Sequence, residues 1–409
     1  MNRSASGCFV IIFIVSIVMM KHAGSKLKVQ SSRLKAQGSR LNAQGSPISL
    51  PPECVLHPND LRSRIHLATM SLGANTMTGL QRTLEFLAGR PVDRLPFHPI
   101  VMRWAARHAG VKYRDFCLEP EAKCRAMIQA AGDFDMDWVT VMSDPYAEAS
   151  AFGLQVEYPE DGLPVERGGR LPDLDAVRAL QPYRLQDGHQ RLLNRLAEVR
   201  EFRRQVGDRL FIVGWVEGPV AEYADIRGVT DAAMDLLDDP GTVDAAMDIV
   251  TDCALEFITA QVEAGAHCVG IGDAFCSQIG PKLFRRFAWA REKRMVEHIH
   301  ALGAIAKLHI CGNTTQILPD MIATGADIVD VDHLVASMED FAPLLAPNQV
   351  LSGSADPVSV LQDGTPDQIA AAVRVCRQQT NDRCIVSAGC EITPDTSAAN
   401  MRVFQSSTT

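Results

Sequence analysis

Between Leu95 and Ala388 the chain repeats one unit, a short apolar run followed by a stretch long enough for a helix. Eight such runs are present: Leu95–Val101, Trp138–Met142, Leu210–Val216, His267–Gly272, Ile305–Ile310, Ile328–Val331, Val350–Gly353 and Ile385–Ala388. Helical patterns lie between most of them, at Thr242–Ala264, Pro281–Leu302, Thr314–Thr324 and Pro366–Gln379. Ahead of the first run, Thr78–Gly89 sets Leu80, Leu84 and Leu87 on one helical face and closes on Gly89. Repeated strand–helix units require parallel strands joined by right-handed crossovers. Eight units predict an α/β chain closed into a (β/α)8 TIM barrel. The alternative, an open doubly wound sheet, would carry a Gly-rich dinucleotide turn after an early strand, and none is present. The last helical stretch, Ser397–Phe404, is short, so an incomplete closing helix is expected.

The barrel reading directs attention to strand ends, because barrel active sites are built at the C-terminal rim. His309 and Cys311, in KLHICGN, fall at the end of the fifth run, and Cys390, in SAGCEITPDT, falls just past the eighth. Side chains on a strand alternate with period two, so His309 and Cys311 face one side. Two thiolates and one imidazole suit Zn²⁺, and three protein ligands leave a fourth position open, as in catalytic zinc sites. A zinc with an open position can hold a thiol as a thiolate near neutral pH. The bland alternative is a set of buried structural cysteines; the shared rim favours the metal.

Charge narrows the partners. Residues 1–69 hold nine Lys/Arg against two Asp/Glu, whereas the remainder holds 31 against 47. An acidic body argues against nucleic acid. The eleven cysteines show no paired framework, which fits a reducing, cytoplasmic compartment. Cys8–Met20 is a 13-residue apolar run, too short for stable membrane insertion. It has the character of a signal-peptide core, with Ala23-Gly24-Ser25 as a cleavage site, and leaves export open. Three basic heptads follow, SKLKVQS, SRLKAQG and SRLNAQG over Ser25–Gly45, with no core-forming face. Residues 1–69 are therefore expected to be a disordered or signal-like extension that is dispensable to the working protein, and 70–409 the barrel, with Met70 and Met77 as alternative starts.

The stretches KLHICGNTTQILPDMIATGADIVDVD, AQVEAGAHCVGIGDAF, DPYAEASAFG, LSGSADPVSVLQDGTPDQI and SAGCEITPDTSAAN together resemble the uroporphyrinogen decarboxylase superfamily, from about Thr78 to Phe404. Within it, the His-x-Cys-Gly-Asn and Gly-Cys-Glu-x-x-Pro pieces are similar to the zinc-dependent methylcobamide:thiol methyltransferases of the coenzyme M type. The resemblance implies zinc at His309, Cys311 and Cys390. It also implies methyl transfer from a methylcobamide, carried on a separate corrinoid protein, to a small thiol. The decarboxylase branch carries a Gly-Arg-Tyr motif that clamps tetrapyrrole carboxylates. In LPFHPIVMRWAARHAG only Arg103 and Arg107 remain of it. Ser354 and Ala355 also depart from the family pattern.

Other rim residues follow from their strand positions. Asp273 ends the fourth run and can meet substrate or orient a ligand; a loop or capping carboxylate is the bland reading. Glu217, after the third run, is a candidate fourth zinc ligand; both are carried as catalytic candidates. Asp332 and His333 are expected to line the cavity and Asp144 to shape a mouth loop, while Lys307 reads as an interior ion pair. Arg103 is either an anion contact or a solvated helix residue. Trp104, Trp138, Trp215 and Trp289 read as core packing. The expected function is a zinc-dependent methyltransferase. The rivals are a metal-free porphyrinogen decarboxylase and a non-catalytic zinc-stabilised barrel.

Overall fold

The computed structural model describes residues 77–409. The extension expected over 1–69 and its boundary at residue 70 lie outside the described residues. The strands are β1 (Trp138–Thr140), β2 (Gln155–Glu157), β3 (Val165–Gly168), β4 (Phe211–Glu217), β5 (Cys268–Gly272), β6 (Ile305–His309), β7 (Ile328–Val331), β8 (Val350–Ala355) and β9 (Cys384–Ala388). Seven of them run parallel in the order β1-β4-β5-β6-β7-β8-β9, with helices in the crossovers; β2 and β3 form a separate antiparallel hairpin.

The first expected strand is corrected. Leu95–Val101 forms no ladder, only one parallel bridge between Phe97 and Val386. Pro96 and Pro99 have no N–H to donate, so a regular strand cannot extend through them. The segment closes the sheet all the same. Val386 N donates to Pro96 O (2.9 Å), His98 N to Val386 O (3.0 Å) and Asp137 N to Phe97 O (3.0 Å), bridging β9 to the start of β1. Closure leaves no exposed sheet edge, and the fold is a TIM barrel.

The N-terminal end of the barrel is plugged by helix Gly79–Leu87. Thr78 caps it in a capping box with Gln81. Its apolar face packs on Trp138, Phe211, Val213, Cys268, Ile328, Val350 and Ile385, residues at or near the starts of their strands. Gly79 is required there, because a Cβ would lie 2.6 Å from Asp137 O. The expected helix Pro281–Leu302 is split at Ala288, the residue between a helix ending at Phe287 and a second helix at Trp289–Ala301; ahead of it, Gly280 (φ +74°) and Pro281 set a kink where the expected helix begins. Thr314–Thr324 shortens to a helix over Leu318–Ala323. The last helix spans Ala398–Ser406. It buries Met401 and Phe404, and Phe404 meets Phe97 edge-on at 5.2 Å. No helix among the described residues is long and apolar enough to cross a membrane.

Beneath the plug, Asp137 is the hub of a buried ion network. It pairs with Arg82 and, at 2.7 Å, with Arg94, both nearly excluded from solvent, and accepts from Phe97 N at 2.7 Å. Removing one partner of a buried pair leaves an uncompensated charge. Asp137→Ala should therefore lower stability by roughly 3–5 kcal/mol. A chemical-denaturation midpoint unchanged from wild type would show the network to be energetically idle.

Candidate metal centre at the barrel mouth

β6 presents Lys307 and His309 to the barrel interior while Leu308 and Ile310 are buried on the outer side under the helices. Cys311 continues the inner row. The chain then turns away at Gly312, whose φ is +96° and whose Cβ would meet Ser277 Oγ at 2.6 Å. On the other side of the opening, Gly389 precedes Cys390. A Cβ there would lie 2.2 Å from His333 N, so only glycine lets this loop approach the end of β7. The two loops bring His309 Nε2 to 2.9 Å from Cys311 Sγ, and Cys311 Sγ to 3.3 Å from Cys390 Sγ. One ligand atom from each of the three lies within 4.8 Å of the others. The three residues expected to hold zinc are thus brought together across 79 positions of sequence.

The register explains how His309 is aimed. Glu217, Gly272, His309, Asp330 and Ser352 are successive partners across β4 to β8. Asp330 Oδ2 sits 3.2 Å from His309 Nδ1 and 2.6 Å from Lys307 Nζ. The His309 contact is off-line for a full hydrogen bond, so charge rather than directionality carries it. Burial opposes ionisation of Asp330, but Lys307 and His309 hold its carboxyl well below the usual range. Lys307 is therefore the interior ion pair expected of it. Trp215 is buried in the core as expected and also reaches the site. Its indole lies over Gly270 and Gly272, where a Cβ would approach it to 2.6 and 2.4 Å, and its ring stands 6.2 Å from that of His309. Trp104 and Trp138 pack in the core as expected, while Trp289 is only partly buried; each indole N–H donates to a protein oxygen.

The remaining candidates fall around this centre. Glu217 and Asp273 do not join the group of three. Glu217 accepts from Trp215 Nε1 at 2.9 Å, and its backbone N donates to Glu148 Oε1 at 3.0 Å. Asp273 accepts from Ala221 N at 2.7 Å and Val220 N at 3.3 Å, capping helix Pro219–Arg227 from the next strand. Asp332 accepts from Gly312 N (2.8 Å) and pairs with His333 (2.8 Å), which fixes the loop after Cys311. Asp144 is bound by Arg191 at 2.5 Å and accepts from Ser143 at 2.6 Å, which anchors the loop after β1. Arg103 N donates to Glu391 Oε1 at 2.9 Å beside Cys390, and its guanidinium lies over Tyr113. Arg107 turns away to Asp395.

The sequence reading missed Asp330, Glu148 and Glu222. The alternation in IVDVD, with Ile328, Asp330 and Asp332 on one face, could have found the first. Glu148 and Glu222 sit in buried helices after β1 and β4, where no pattern marks them.

The chain belongs to the uroporphyrinogen decarboxylase (URO-D) family, whose model matches residues 78–408. Its relatives include a methylcobamide:CoM methyltransferase, MtbA, of Methanosarcina acetivorans, 28% identical over 334 residues, covering 80% of this chain and 96% of the relative. A uroporphyrinogen decarboxylase of Anaeromyxobacter sp. is 27% identical over 301 residues, covering 68% and 84%. The solved structure of a methyltransferase from Methanosarcina mazei shares the fold, with TM-score 0.73 at 24% identity over 81% of this chain and 98% of that one. The protein is thus an enzyme-family barrel whose relatives include both methyltransferases and decarboxylases.

The mouth carboxyls carry a pH signature. Burial pushes Glu148 up to about 7, against the Glu217 N–H and Arg195, which favour its charge. Burial, then neighbouring carboxylates, push Glu217 and Glu222 well above the ordinary range. Acids whose folded pKa is raised bind more protons folded than unfolded. Their contribution is complete below the unfolded value near 4.5 and is lost as pH rises through the folded value. The melting temperature should therefore fall between about pH 5 and about pH 8, and Glu148→Gln should flatten that slope. A wild-type profile that rises over this window would refute the assignment.

Proposed function

We propose that this chain is a zinc-dependent methyltransferase that moves a methyl group from a methylated corrinoid, carried on a partner protein, to a small thiol. The observation that carries the reading is the convergence of His309 Nε2, Cys311 Sγ and Cys390 Sγ at the C-terminal mouth of the barrel. The donor set fits zinc: one imidazole and two soft thiols, with three protein ligands leaving room for a fourth. Bound there, the metal would lower the acceptor's thiol pKa so that it reacts as a thiolate near neutral pH.

The chain's own residues do the rest. Asp330, itself held by Lys307, faces Nδ1 of His309 and leaves Nε2 for the metal. Gly312 and Gly389 allow the two cysteine loops to close on that point. Trp215 stands beside the imidazole, its ring tilted to that of His309, and bounds the site on the β4 side. In the reaction the thiol sulfur forms a bond to the methyl carbon as the methyl–cobalt bond breaks. That electron pair stays on the corrinoid as cobalt(I), and the thiol proton leaves to solvent. Glu217, with its proton held by burial, and Asp273, engaged as a cap, border the site as positioning groups. Arg107 is paired with Asp395 and Arg191 with Asp144, so neither is left to clamp a substrate bearing many carboxylates, which argues against the decarboxylase alternative.

Wild-type protein should demethylate free methylcobalamin in a thiol- and zinc-dependent way, and Cys311→Ala should abolish this while removing about one equivalent of zinc. Carbon dioxide release from a porphyrinogen, untouched by Cys311→Ala and with no thiol-dependent demethylation, would replace this reading with the decarboxylase. A second test concerns the shell behind the ligands. Asp330→Asn should weaken zinc affinity about 10–100-fold with all three ligands intact, measured by chelator competition; an unchanged affinity would remove Asp330 from the centre.

A further inference from the structure

A second set of metal-ligand atoms lies one strand away from the centre, at the end of β5. Asp273 comes from the turn after β5, Cys276 from the first residue of helix Cys276–Phe287, and Glu292 from helix Trp289–Ala301. One ligand atom from each lies within 4.8 Å of the others, and all three residues are fully excluded from solvent. No amide or cation among the described residues serves Glu292, which has zero exposure and whose carboxyl lies against that of Asp273. Asp273 is partly served by the amides of Val220 and Ala221 and otherwise meets only Cys276 and Glu292, with no Lys, Arg or His paired to either carboxyl among the described residues. Buried carboxylates without a cation are expensive unless something neutralises them.

We propose that Asp273, Cys276 and Glu292 hold a second divalent cation of the zinc or iron(II) class, separate from the one at His309, Cys311 and Cys390. One thiolate with two carboxylates is a borderline donor set, suited to Zn²⁺ or Fe²⁺ and unsuited to Ca²⁺ or Mg²⁺. The ion would cross-link helix Trp289–Ala301 to the end of β5. That end is tied to β6 by the bond from Asp273 N to His309 O at 3.0 Å, so the second ion would brace the strand pair that carries the first. The inner site is closed to solvent and the outer one is half-open, so the two should release metal at different rates.

The test is metal stoichiometry on the full chain, produced reduced with zinc supplied and freed of loose ions by gel filtration. Wild type should hold about two equivalents, of which a short dialysis against chelator removes one. Cys390→Ser should hold the slowly released equivalent alone. Cys276→Ser and Glu292→Gln should each hold the rapidly released equivalent alone. In cobalt(II)-loaded protein, Cys276→Ser should lose thiolate-to-cobalt charge-transfer absorption that Glu292→Gln also weakens. One equivalent in wild type, wholly lost in Cys390→Ser and unaffected by Glu292→Gln, would overturn the proposal and leave the two carboxyls sharing a proton. Loss of the fast equivalent alone in every variant would do the same. Two equivalents in wild type do not depend on any variant folding. Failure of the outer site would appear instead as an absent fast equivalent, so the two readings fail separately.

Discussion

The ion pair between Lys307 and Asp330 governs the upper half of this barrel. It spans 2.6 Å inside a closed sheet, with both side chains almost wholly excluded from solvent. An isolated carboxylate there would pick up a proton. Beside an ammonium it remains charged, and that charge is what faces His309 Nδ1. The interior is therefore tiered. An apolar layer at the strand starts seals the bottom under helix Gly79–Leu87. A charged layer follows, with His98 stacked on Trp138 at 4.3 Å beside Lys307. The cysteine-histidine cluster sits above both. Each tier makes the next one affordable in physical terms: the dry base strengthens the ion pair, and the ion pair orients the imidazole.

Backbone room matters as much as charge. Trp215 can lie across β5 because Gly270 and Gly272 present no side chain, and any Cβ there would collide with the indole. Gly389 does the same for the Cys390 loop against His333 N. These positions are steric requirements of the site. Substituting them would displace a wall or a ligand without touching any group that reacts.

Much of this was legible in the sequence. Seven of the eight apolar runs became strands of the barrel sheet, because buried parallel strands are continuous apolar segments. The period-two argument put His309 and Cys311 on one side, and the barrel's rim rule linked them to Cys390. What failed did so for stated reasons. Pro96 and Pro99 turned an expected strand into a single bridge. The expected helix Pro281–Leu302 divides at Ala288, where no glycine or proline marks the break. Asp273 and Glu217 were read correctly as rim residues, but their neighbours were invisible. The helix amides that bind Asp273 and the Glu148 carboxylate beside Glu217 come from crossovers whose packing no linear pattern encodes. Cys276 and Glu292 are the extreme case, two unremarked residues on separate helices that meet only in the fold.

The electrostatics of the mouth bear on how one fold serves two chemistries. A decarboxylase that clamps a polycarboxylate needs cations at the rim, whereas a thiol-activating centre needs soft donors and a local environment that does not repel a neutral thiol. Here Arg107 is spent on Asp395, and Arg191 on Asp144. The interior lysine is spent on Asp330. Glu148, Glu217 and Glu222 occupy the β4 side with protons held by burial, so they add hydrogen-bonding capacity without full negative charge. A small neutral thiol can approach such a rim at little electrostatic cost, while a substrate with many carboxylates would find Arg107, Arg191 and Lys307 already paired. The pairing of these cations, independent of any ligand motif, thus supports the same proposal as the donor set at His309, Cys311 and Cys390.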